Sequence, residues 1–192
     1  MDPTPTRERL LDAATRVFLE RGFDAASMDL VRSQAGVSNG SLYHHFPTKA
    51  QLADALYASA LRDFHAALLL PIAGRASARS GVRGMVRASI DWVVQHPDRA
   101  RLLDRLRRTG DLAGSGGEWK VANAEGIAVL RAWVERKMAD GELRDMPFGV
   151  WVAVVFSPLV TLTRQWLWDD PPVVPRKDAA AVEAALWQAV AP

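Results

Sequence analysis

The chain has 192 residues, 49% of them hydrophobic and 24% charged, and a net charge of +2. That is enough apolar material for one medium or two small cored domains. The sequence contains no cysteine, which excludes a disulfide framework and a thiolate metal site, and the balanced charge excludes a polycation, so any grip on nucleic acid has to come from where charge is placed.

The opening MDPTPTRER carries no signal-peptide pattern. Thr4 or Thr6 is the expected cap of a first helix, with Pro5 at a position that tolerates it. Leu11, Ala14 and Phe18, flanked by Leu10 and Val17, form the apolar stripe of that helix. Gly22 ends it. Ser27 then caps a second helix with Asp29 in its first turn, where a carboxylate favours the positive end of the helix dipole. Val31 and Ala35 share one face, and Gly36 suits the left-handed conformation that closes a helix. Ser38 caps a third, short helix that runs until Pro47 forbids continuation. Thr48 and Gln51 make a capping box for a fourth.

That fourth helix is long, with Leu52, Leu56, Leu61, Phe64 and Leu68 keeping one face apolar up to Pro71. PIAGRASARSGVRG at 71–84 reads as a loop or frayed start, with a helix from Val82 to Gln95 after it. Asp98 caps the next helix, which carries Leu102, Leu103 and Leu106 and ends at Gly110. GDLAGSGGEWK is a glycine-rich connection. Its GSGG at 114–117 is not a phosphate loop, because no strand precedes it and no Lys-Ser/Thr follows in register. A helix over 118–139 has Val121, Ile127, Leu130 and Val134 as its apolar face. Residues 147–168 are apolar nearly all round, which predicts burial on more than one side. Pro158 within them predicts a kink. A proline-rich connection precedes a last helix with Val182, Ala185, Leu186, Ala189 and Val190 in step. The apolar run from Val150 is broken by Ser157 and Pro158 and falls short of the roughly 18–20 residues that span a bilayer. The expectation is an all-α protein of about nine helices, cytoplasmic and without membrane contact, with an N-terminal domain at 1–50 and a second at 51–192.

Two short helices joined by a glycine turn form a helix-turn-helix. The second of them carries Asn39, Gly40, Ser41, Tyr43, His44 and His45, and only Leu42 and Phe46 read as anchors. Small, hydrogen-bonding residues on a presented helix suit base edges and phosphates. AGVSNGSLYHHFPTK resembles the signature of the TetR family of bacterial repressors, with the glycine turn, the Leu-Tyr and His-Phe pairs and the trailing lysine in register. The resemblance runs from about Arg7 to Leu56. It implies that Asn39 and Gly40, with Tyr43 and His44, approach bases of double-stranded DNA. It also implies that Ser27, Ser41, Tyr43, His45 and Lys49 hold phosphates. Lysine in the first turn of a helix opposes the dipole, a cost that a phosphate beside Lys49 would reverse. Leu30 stands where the family commonly has a polar residue and Arg32 where it has a small one; Arg32 either reaches DNA backbone or pairs with Asp29.

The family also implies a homodimer through the last two helices, here 147–190, and a small-molecule effector in the second domain. Trp92, Trp119, Trp133, Trp151 and Phe156 are the expected contacts for an apolar or aromatic ligand, with Arg105, Asn123 and Arg131 as polar candidates. Arg99, Arg101, Arg105, Arg107 and Arg108 read as a solvated face paired with Asp98, Asp104 and Asp111 rather than a second nucleic-acid surface. His44 and His45, at i and i+1, do not face each other and make a poor metal pair. The chain has no G-x-S-x-G elbow, zinc spacing or dinucleotide fingerprint, so no catalytic residue, metal or cofactor is expected. The resulting expectation is a ligand-released repressor on a palindromic operator.

Overall fold

The computed structural model describes residues 5–74, 76–109, 117–168 and 179–192. Among them are nine α-helices, one short 3-10 turn and no strand. The helices are α1 (Thr6–Arg21), α2 (Met28–Ala35), α3 (Asn39–His45), α4 (Lys49–Leu69), α5 (Ala78–Gln95), α6 (Pro97–Thr109), α7 (Glu118–Ala139), α8 (Phe148–Trp168) and α9 (Ala179–Val190), with the 3-10 turn Leu70–Ile72 between α4 and α5. The all-α class holds. The connections expected at 110–116 and 169–178 lie outside the described residues, as does the side chain of Arg108.

The chain divides into two compact units: Met1–Leu61 with Asp98–Ala122, and Arg62–Pro97 with Asn123–Pro192. The expected boundary after residue 50 therefore moves. The first half of α4 belongs to the first unit because Leu52, Ala53, Leu56 and Leu61 are buried in the same core as Leu10, Val17 and Phe18 of α1. Leu102 and Leu106 of α6 and Ala122 of α7 complete that core, so sequence from beyond residue 97 returns to the N-terminal helices.

Local chemistry sets most helix ends. Ser27 accepts the N–H of Leu30 and Ser38 that of Ser41, each at 3.1 Å. Gly36 adopts the left-handed conformation (φ 62°, ψ 41°) that closes α2. Thr48 accepts the N–H of Gln51 at 3.1 Å. Thr6 is the first residue of α1 rather than its cap, a position taken by Pro5 without a side-chain bond.

In the second unit, α5 packs on α9, on α8 and on the 3-10 turn. α5 begins four residues before the expected start at Val82. Ser77 caps it, and Glu142 accepts the N–H of Ala78 at 2.7 Å. Its glycines serve close packing: a Cβ on Gly81 would lie 2.4 Å from the Trp133 indole, and one on Gly84 2.5 Å from Pro71. The buried face of α7 also differs from the expected one. It runs through Ala122, Gly126, Leu130, Trp133 and Val134, leaving Val121 exposed. α8 passes through Pro158 as one helix of 21 residues, so Ser157 and Pro158 do not break it, and by length and composition alone it matches a membrane-crossing segment. Trp151, Val155, Leu159, Thr163 and Trp166 form its buried face.

Candidate nucleic-acid interface and aromatic cluster

In the first unit α1, α2 and α3 pack on one another, and α3 is seated by two side chains. Leu42 is completely buried and Phe46, four residues on, is 3% exposed. Asn39, Gly40, Tyr43, His44 and His45 are exposed, and Ser41 is half-buried. Asn39 and Tyr43, and likewise Gly40 and His44, stand at i, i+4 and so share one face of the helix. That face carries hydrogen-bonding groups and a gap where Gly40 has no side chain. Gly40 has ordinary helical φ, and among the described residues nothing would lie within 4 Å of an added Cβ. No described residue therefore requires glycine there, although glycine weakens a helix by about 0.5–1 kcal/mol against alanine.

The cations of this unit are placed otherwise than expected. Lys49 Nζ donates to the carbonyls of Phe23 (2.8 Å), Asp24 (3.2 Å) and Ala26 (3.1 Å). It also sits 4.5 Å from the centre of the Phe23 ring. An ammonium has three donors, and in this structure carbonyls of the α1–α2 loop take them and neutralise the charge that opposes the α4 dipole, a partner set the sequence did not suggest. Arg32 pairs with Asp29 at 2.8 Å, the contact expected in one of its two readings.

Three further contacts had no signal in the sequence. Arg9 donates to the carbonyls of Ala35 (2.6 Å) and Gly36 (3.0 Å), the end of α2. Arg105, expected near a ligand, donates to the carbonyls of Phe18 (3.0 Å) and Leu19 (2.9 Å) near the end of α1. Asp54, buried on α4, accepts the N–H groups of Glu118 (2.9 Å) and Trp119 (3.1 Å), the first residues of α7. Each pairing joins groups more than 25 positions apart, beyond the reach of helical periodicity.

The five expected ligand aromatics separate. Trp119 belongs to the first unit, edge-on to Tyr57 with ring centres 6.1 Å apart, and so is not grouped with the other four. The buried setting of Tyr57 pushes its phenol up, partly opposed by the charge of Arg107. In the second unit Trp133 and Trp151 are buried in one apolar cluster, with Phe156 packed against it and edge-on to Trp151 at 6.0 Å. Trp92 lies edge-on to Phe64 at 5.2 Å. Arg131 is exposed, bonded to Glu135 and stacked 4.1 Å from the Phe148 ring. The indole N–H groups of Trp133 and Trp151 are buried and meet no acceptor among the described residues.

Residues 10–56 match the pattern of a family described as bacterial regulatory proteins, tetR family. The HTH-type transcriptional regulator UidR of Escherichia coli is 46% identical over 52 residues, 27% of this chain and 26% of UidR, so the match spans about a quarter of that relative's length. The HTH-type transcriptional repressor Rv1474c of Mycobacterium tuberculosis is 28% identical over 72% of this chain and 70% of its own. Among solved structures, a TetR family transcription regulator from Marinobacter aquaeolei superposes with a TM-score of 0.80 at 20% identity, over 97% of this chain and 95% of that one. The transcriptional regulator FadR from Bacillus subtilis, in complex with stearoyl-CoA, gives 0.80 at 17% identity, over 93% and 96%. At those identities the structural likeness concerns the fold, while the sequence match falls on α1 to α4, where the glycine turn and the presented helix lie. Residues 10–56 thus carry the helix-turn-helix pattern of the tetR family of bacterial regulatory proteins, and the chain as a whole has the fold of TetR family regulators.

Proposed function

We propose that the protein is a homodimeric repressor that binds a palindromic operator through α3 and leaves it when an apolar ligand enters the second unit. The observation that carries the DNA reading is α3 itself: two buried anchors hold a helix whose outer face is Asn39, Gly40, Tyr43, His44 and His45. Asn39 suits bidentate bonding to adenine, and Gly40 admits the close approach of a base or sugar. Ser27, Ser41, Tyr43 and His45 are the phosphate contacts of this reading. Two such helices one helical turn apart, about 34 Å, would read half-sites on one face of the duplex.

The dimer reading rests on α8 and α9. Val150, Ala153, Ser157, Val160 and Trp168 are exposed along one side of α8, and Ala180, Ala181, Ala184 and Ala185 along α9. A mostly apolar stripe, interrupted by Ser157 and the exposed Arg164, beside a stripe of small residues suits a twofold helical bundle, which would cover the surface that otherwise gives α8 its membrane-like composition. The protein would then act in the cytoplasm.

The ligand reading rests on the two buried indole donors. A buried donor without an acceptor costs about 1–3 kcal/mol, and a carbonyl on an otherwise apolar ligand would relieve it. FadR of Bacillus subtilis, similar in fold, was solved with stearoyl-CoA, and a long-chain acyl thioester has that combination of carbonyl and chain.

Selection of bound duplexes from a random pool tests the DNA reading. An enriched palindrome with half-sites about one turn apart is expected, and a folded dimer that enriches no sequence at low salt would refute it. Adding stearoyl-CoA to the complex should release the DNA and quench tryptophan emission. Failure of every long-chain thioester to do either would refute the acyl-ligand reading and leave the DNA reading standing.

A further inference from the structure

α2 is held at both ends by cations from neighbouring helices. At its entry, Lys49 gathers the carbonyls of Phe23, Asp24 and Ala26, the loop immediately before the Ser27 cap. At its exit, Arg9 gathers those of Ala35 and Gly36, in the turn before α3. The spaces are close: a Cβ on Gly36 would lie 3.2 Å from the Arg9 guanidinium. Loop carbonyls without a partner are costly to bury, and here single positive groups satisfy two or three at once. The same groups fix where Ser27 stands, and how the turn delivers Ser38 and the first residues of α3.

Resting on the DNA-binding reading above, we propose that Lys49 and Arg9 are positioning residues: they set the height and tilt of α2 and its turn for DNA without touching phosphate. The Lys49 ammonium and Nη2 of Arg9 are taken up by these carbonyls, and their effect on affinity runs through Ser27 and α3.

The test compares the full-length protein with Lys49→Met, Lys49→Arg and Arg9→Met. Duplex affinity is read by fluorescence anisotropy over a salt series, well below the melting temperature and on protein with native far-UV circular dichroism. A phosphate ligand and a positioning residue respond oppositely. Arginine is a good phosphate ligand, so a phosphate contact would survive Lys49→Arg. Its flat fork does not fit three carbonyls gathered around one ammonium, so a positioning role would not survive it.

We expect Lys49→Met, Lys49→Arg and Arg9→Met each to lose affinity by about tenfold, with the slope of log K against log salt unchanged within about 0.3. A slope smaller by about 0.9 for each protomer bound would make the residue a phosphate ligand and overturn the proposal. Unchanged affinity in folded variants would reduce both cations to stabilisers of the fold, also overturning it. If Lys49→Met does not fold, the charge-conserving Lys49→Arg still separates the outcomes. Failure of the unsubstituted protein to bind any duplex would instead refute the DNA-binding reading itself.

Discussion

Replacing Gly40 with alanine separates what α3 needs in order to fold from what it needs in order to bind. The added methyl meets nothing within 4 Å among the described residues, and the backbone there is not left-handed. Alanine is therefore unstrained at this position and gains the usual advantage over glycine in a helix, about 0.5–1 kcal/mol. For a chain of this length that corresponds to a rise in Tm of roughly 1–4 °C. On the proposed DNA-facing side the same methyl would stand between backbone and base or sugar. Losing one well-placed contact costs about 1–3 kcal/mol, or roughly five- to 150-fold in affinity for each half-site. Differential scanning fluorimetry and operator titration on one preparation read both quantities, and they should move in opposite directions. A lower Tm would show that the Cβ position is not open. Full operator affinity would remove Gly40 from the interface, and glycine at that position would then have no physical account.

Three further outcomes follow from contacts inside each unit. A Cβ on Gly126 of α7 would lie 2.1 Å from His65 Nδ1, so Gly126→Ala should destabilise the second unit by about 1–3 kcal/mol through overpacking, seen as a lower midpoint in urea unfolding. Asp54→Ala leaves two N–H groups at the start of α7 without their acceptor and should cost about 1–3 kcal/mol; Asp54→Asn, which keeps an acceptor oxygen, should cost less, and equal stability of all three proteins would refute the clamp. In the second unit, burial pushes the Glu183 carboxyl up, but hydrogen bonds and charge from Arg87 and Arg83 overcome this and hold it below the usual carboxylate range. A lowered folded value gives stability that is fully present above the unfolded value, about 4.3, and is lost as pH falls through the folded value. Thermal melts should therefore drop more steeply with acid in the unsubstituted protein than in Glu183→Gln, and parallel curves would refute the coupling.

The helix-turn-helix was legible because its boundaries are written in adjacent residues. Ser27, Gly36, Ser38 and Thr48 act within four positions of their own place in the chain, and Leu42 with Phe46 shows which side of α3 is buried. The start of α5 was not legible for the opposite reason. Gly81 and Gly84 look like loop residues until Trp133 and Pro71 are seen against them. Sequence order likewise placed Trp119 with the other tryptophans, because nothing local shows that the first turn of α7 returns to Asp54. Lys49 was found as a residue of the site, but its carbonyl partners were not. Its charge at a helix start required an anion or a set of carbonyls, and only folding brings the carbonyls of residues 23–26 to it.

These long-range contacts converge on α4. Its first residue, Lys49, holds the entry to α2, and Asp54 holds the start of α7. Tyr57 packs on Trp119, and α4 then runs on into the second unit, as α7 does from Asn123 onward. Within the first unit, any displacement of the first turn of α7 must therefore either break two N–H bonds to a buried carboxylate or carry α4 with it. Breaking them leaves an ionisable group buried without partners, an expensive state. Carrying α4 is the cheaper response, and it moves the ammonium that fixes the loop before Ser27. On this argument Asp54→Asn, by weakening the hold, should leave operator affinity in the absence of ligand nearly intact and reduce how far stoichiometric ligand lowers it.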